Sequence, residues 1–505
     1  MPACCRLPVL GLMATLFAAT ASAAAEIAER PFAVLATSRL DRLLDSVDVL
    51  LDVADRPELS DVLAERYRSA RDFGGLDRTK PLGCLRTWRL DDPATLETEQ
   101  PADVIFLPVA DRDEFMKTIT FETVTYQRIT ADLIAIDRPG EPYHVLFRDG
   151  YAWLGDDVAQ LAAFASRRDR ILREIPATAQ LALLIDFDQI PRTDRDAAVL
   201  GWLRAWEPVL QRRDRESDAA YEWRRKGAEW LIRGVPDAIA STRQLLITQT
   251  LNSKERRSDW TCELRTADDS PWAAELRKWP AKTTPLARLD QPEAAAFGVM
   301  RGLALEAAEE QWSLAWQVFG HPFVQRTAVI VAQGPGLTAL VAKTPASGPG
   351  QMPLGDSVLR RVTLPATPIW LRRFIGWDPE VWLGAVAGRV WIGCGPPDVV
   401  RKQLEQAHAL VVAPPRADDR PVGLKLRLSA RDLVGSTPGL DAGWADQQLA
   451  RGGDQLRFSA DATASTLTVR GSVDVGVLRV IGLAIAHELS LELDQILADP
   501  VAPAN

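Results

Sequence analysis

Histidine is scarce in this chain, with only His144, His321, His408 and His487 among 505 residues. Their wide separation argues against a histidine-built metal site. His487-Glu488 opens a zinc-protease pattern, but Leu491 stands where the second imidazole belongs. Three other signatures are missing: a G-x-S-x-G nucleophile elbow, a G-x-x-x-x-G-K-[ST] phosphate loop and a G-x-G-x-x-G dinucleotide loop. No metal and no cofactor is therefore expected. Apolar runs long enough to span a bilayer are lacking too. The best internal stretch, Val477 to Ala486, is about half the ~20 residues required and contains Arg479. Five cysteines are too few for a disulfide-stapled scaffold.

At the N-terminus the sequence reads as an export address. Arg6 supplies the positive charge, Leu7 to Ala19 form a short apolar stretch, and Ala21-Ser22-Ala23 matches an A-x-A cleavage site. The expectation is a signal peptide over residues 1–23 and a mature start near Ala24. Cys4 and Cys5 precede the apolar stretch, where a lipid-anchoring cysteine would follow it. Cleavage leaves 58 basic against 68 acidic residues, a net charge of −10, and three cysteines: Cys84, Cys262 and Cys394. The acidic balance disfavours nucleic acid and anionic lipid as partners. An odd number of thiols permits one internal disulfide at most.

Four short strings recur in the same order along the two halves. Phe32-Ala-Val34 returns as Phe297-Gly-Val299, and Gly150-Tyr-Ala-Trp153-Leu-Gly155 as Gly388-Arg-Val-Trp391-Ile-Gly393. Leu181-Ala-Leu183-Leu-Ile185 returns as Leu424-Lys-Leu426-Arg-Leu428, and Gln244-Leu245 as Gln455-Leu456. The offsets are 265, 238, 243 and 211, so the first half carries about 32 extra residues before the last match. These observations predict an internal duplication. The extra residues have helical periodicity: Trp202, Trp206 and Val209, then Ala220, Trp223, Gly227, Trp230 and Gly234.

Each half mixes helical and β patterns. Leu40, Leu43, Val47, Leu50 and Ala54 recur at helical spacing before Pro57. Tyr143, Val145 and Phe147 alternate up to Asp149-Gly150, a two-residue hairpin turn, and Tyr151 and Trp153 alternate beyond it. Trp260, Cys262 and Leu264 share one strand face, with charged and polar residues between them. The predicted fold is α+β: two related units of antiparallel sheet with covering helices. Their expected bounds are 24–283, with a helical insertion at about 194–240, and 284–499, followed by a loose tail at 500–505.

Several residues invite a chemical role. Asp186 and Asp188 flank Phe187 in an apolar strand, so a period of two would set both carboxylates on one face about 7 Å apart, a spacing that suits glycoside hydrolysis. Solvated or salt-bridged aspartates are the plainer reading. Asp41, Asp45, Asp48, Asp52 and Asp55 form an acidic stripe better read as a wet helix face than as a calcium site. Asp157, with Asp156, precedes a helix and suits capping. Cys394 before a helix could serve as a nucleophile with His408 as base, but Asp156 at the equivalent place after Gly155 points to a turn position tolerant of both residues. Sixteen tryptophans stand against five tyrosines. Trp153, Trp260 and Trp391 sit at inward hairpin positions, whereas Trp223, Trp230, Trp370, Trp377 and Trp382 are candidates for gripping a ligand or partner.

The export signal, the opening strand and helix from Phe32 to Ala54, the Asp-Gly hairpin ending in Trp153-Leu-Gly155, and the strand from Leu181 to Ile190 before Pro191 together resemble a known group. It comprises large exported bacterial proteins, frequent among planctomycetes, with a duplicated domain of unknown function. The resemblance implies an envelope or secreted protein and brings no active site with it. The leading expectation is a non-enzymatic binding or interaction protein of the periplasm or exterior. A carrier of an apolar ligand such as a lipid or acyl chain, and a carbohydrate-active enzyme using Asp186 and Asp188, are the alternatives. The expected partner is an envelope protein or a small apolar ligand.

Overall fold

The computed structural model describes residues 31–59, 74–87, 102–119, 126–136, 143–190, 241–279, 284–301, 313–320, 326–347, 350–362, 380–414, 423–431, 442–450 and 453–486, apart from a few positions within these ranges, together with scattered positions between 195 and 240. The expected signal peptide, the expected tail and most of the expected helical insertion lie outside them. The described chain is a mixture of helices and antiparallel strands. Its contacts divide into two units. Described residues up to 205, with 242–264 and those from Ile481 onward, belong to the first, and the described residues of 206–241 with those of 265–480 to the second. Residues beyond 264 group with the second unit because α5 (Pro271–Lys278) packs on its last strand.

Ten described strands build the first unit: β1 (Ala33–Thr37), β2 (Leu82–Thr87), β3 (Ala102–Pro108), β4 (Tyr126–Arg128), β5 (Leu133–Ile136), β6 (Tyr143–Arg148), β7 (Tyr151–Gly155), β8 (Leu181–Asp186), β9 (Thr242–Asn252) and β10 (Arg257–Thr266). Their pairings give the order β10-β9-β8-β1-β2-β3-β7-β6-β5-β4. The second unit holds β11 (Ala296–Arg301), β12 (Ser313–Phe319), β13 (Thr327–Gln333), β14 (Gln351–Leu354), β15 (Ser357–Val362), β16 (Val381–Val386), β17 (Arg389–Cys394), β18 (Leu424–Ser429), β19 (Gln455–Ala462) and β20 (Thr466–Val473). Its order is β20-β19-β18-β11-β12-β13-β17-β16-β15-β14, the same path with every number raised by ten.

Register agrees as well as order. In the first unit one row of facing residues runs Leu154, Ile105, Cys84, Leu35, Leu183, Ile247. Starting from Ile392, the matching row of the second unit runs Ile392, Ile330, Trp316, Gly298, Leu426, Phe458. The ends of these rows reproduce the sequence offsets 238, 243 and 211. The first string differs by two residues, since the pairing sets Val34 level with Phe297 rather than with Val299. A slip of two leaves the same side chains on the same face.

Each sheet buries one face under the helix that follows its central hairpin. In the first unit α3 (Val158–Ser166) and α4 (Arg168–Arg173) supply Leu161, Phe164, Ala165 and Ile171 to a core with Val34, Phe106, Trp153 and Leu184. Asp157 caps α3 by accepting hydrogen bonds from the N–H groups of Ala159 and Gln160. In the second, α7 (Pro397–Val412) sets Val400, Leu404, Ala407 and Val411 at three- and four-residue steps against Phe297, Val329 and Trp391. Pro397 at its first turn costs no hydrogen bond. Gly393 permits this approach, because a Cβ there would lie 2.4 Å from Val400 and 2.8 Å from Leu404.

The opposite faces are covered in part by shorter helices. α2 (Arg112–Ile119) brings Phe115 and Met116 onto Ile134, Val145 and Leu154. α6 (Leu337–Lys343) brings Val341 onto Val381, Leu383 and Val390. The hairpin turns also correspond. Asp149 and Gly150 have φ of 52° and 76°, Ala387 and Gly388 of 48° and 74°, the paired positive values that match the twist of adjoining strands. α1 (Leu40–Val53) buries Leu40, Leu51 and Val53 and turns its aspartates outward. Among the described residues no helix is long and apolar enough to cross a membrane.

Candidate functional site

The sequence-selected residues scatter when placed on this frame. β8 ends at Asp186, and Asp188 lies in a 3-10 turn, Phe187–Gln189, rather than two places further along a strand. The cause is local: the Asp186 carboxylate accepts a hydrogen bond from the Asp188 N–H at 3.0 Å and bends the chain out of the sheet. The shared-face geometry that recommended this pair for glycoside chemistry is therefore not the one observed.

Cys394 and His408 do not meet either. Cys394 ends β17 among Ala328, Val381 and Leu383, on the sheet face away from α7, while His408 rides on α7 with its ring 5.4 Å from that of Trp391. Alternation along β17 separates the two, since Trp391 and Gly393 face the helix and Cys394 does not. Burial pushes the Cys394 thiol up to about 11, which keeps it protonated and unreactive at neutral pH. Cys84 and Cys262 are pushed to about 11 by the same cause, and all three thiols are free.

Trp382 is 5% exposed and packs in the core beneath α7, with Gly350 close against its ring. Trp153 and Trp391 are fully buried. Trp223, Trp230, Trp370 and Trp377 lie outside the described residues. On α1, Asp41 pairs with Arg39, whose guanidinium holds its carboxyl below the usual range, and Asp52 pairs with Arg256 at 3.0 Å. Among the described residues no group of three or more His, Cys, Asp or Glu is placed to hold a metal ion.

One place gathers charge around a void. Pro31, Val34, Ile171 and Leu184 form the apolar lining of a cavity of about 30 Å³ between β1, β8 and α4, and Arg167, Arg170, Glu174 and Asp186 complete it. At about 30 Å³ of liquid volume per water it has room for about one water, too little for an organic ligand. Gln244, directly across the strand pair from Asp186, donates from Nε2 to the Glu174 carboxylate at 2.8 Å. Each wall has a sequence cause. Val34 and Leu184 are inward residues of alternating strands, Ile171 is the buried residue of α4, Arg167 and Glu174 flank that helix, Arg170 lies within it, and Asp186 ends β8.

Sequence reading found Asp186 here for a different reason. It missed Glu174, Arg167 and Arg170, which lie on a surface-facing helix with an ordinary charge pattern. The strand-end position of Gln244, shared with Gln455, was the one available signal. Compared with known proteins, the chain matches no family model, no curated protein and no solved structure at a significant level.

Proposed function

We propose that the chain is an exported, non-enzymatic binding protein built from two copies of one α+β unit. The observation that carries this reading is the common register. Three sequence matches found independently fall on residues that the strand pairings also make equivalent. The equivalent positions differ in a compensating way. Leu35 faces Cys84 in the first unit, and in the second the pair becomes Gly298 and Trp316, with the indole lying across the glycine. A small residue traded for a large one across a strand pair keeps the side-chain volume between the two strands similar as copies diverge. Burial that keeps the three thiols protonated disfavours them as nucleophiles, and the 3-10 turn takes Asp188 off the β8 strand.

The test has two parts. Fractionated cells should yield the chain outside the cytoplasm with its first residue near Ala24, and cross-linking in intact envelopes should recover one reproducible protein partner. A cytoplasmic protein that still begins at Met1 would overturn the export reading. An envelope protein with no partner would overturn the interaction reading.

Carriage of an apolar ligand is a second reading with one observation in its favour. Leu35, on a central strand, is 52% exposed, and its row continues through the partly buried Ile247, Leu183, Cys84 and Ile105. An apolar row open to water marks a contact surface. Native mass spectrometry after mild extraction should then detect a retained lipid, and a bare chain mass would count against this reading.

A further inference from the structure

We draw no further inference here: the strongest candidate, the partly exposed apolar surface that Trp316, Ile330, Leu426 and Phe458 form on the second unit's sheet, on the face away from α7, carries nothing because nothing among the described residues shows what covers it.

Discussion

Ala387 shows how a residue can serve a turn its own chemistry resists. It adopts φ of 48° without the short polar side chain that eases the left-handed region for Asp149 at the matching turn. Replacing it with Asn, to give the favoured Asn-Gly turn before Gly388, should stabilise the second unit by about 0.5–1 kcal/mol in chemical denaturation. A loss of stability would mean the turn is not of this type. The thiols give a second residue-scale expectation. A thiol held at about 11 when folded, but near 9 when unfolded, favours the fold below pH 9. That contribution is lost as the pH rises toward 11, on the order of 1.4 kcal/mol per pH step for each such group. Cys394→Ala should therefore flatten the fall in melting temperature between pH 9 and 11, and an unchanged slope would contradict the burial argument. At this scale the sequence was legible where the signal lies within a few residues, as at the Asp149-Gly150 turn or the Asp157 cap. It was illegible where a side chain redirects the chain, as Asp186 does, because a period of two assumes an uninterrupted strand.

Among the elements, the closest contrast is between the two strand-to-helix crossings. Gly393 leaves no room for a Cβ beside Val400 and Leu404, whereas at Gly155 the nearest atom, Leu161 Cδ2, would be 3.2 Å away. Gly393→Ala should cost about 1–3 kcal/mol of stability, and Gly155→Ala measurably less, in parallel denaturation curves. Equal costs would mean that α7 is not seated on β17 as described. Loss of the α3 cap in Asp157→Ala should cost about 1 kcal/mol. Strands and their inward faces were readable because alternation survives in each of them. Helix identity was less so: α2 and α6 are a matched pair, yet Phe115 and Met116 are answered by aliphatic residues and no common string remains. The face on which Cys394 and His408 part company could not be read at all, since it depends on which side of β17 the following helix returns.

For the molecule as a whole, the proposed duplication has only four scattered strings behind it in the sequence, one of them displaced by two residues from the strand pairings. Phe32-Ala-Val34 and Phe297-Gly-Val299 look alike because both are inward stretches of the first strand, and the pleat tolerates a slip of two without exposing the core. Pairings fix what the strings leave open, since each register ties a residue to two neighbours at once. The position of the charged cavity was beyond sequence reading for the same reason. It arises where β1, β8 and α4 converge. A crystal structure of the full chain tests the two-copy account most directly. Superposing the units on Leu154 and Ile392 should bring Leu183 onto Leu426 and Ile247 onto Phe458; a different strand order, or a register displaced by an odd number of residues, would contradict it.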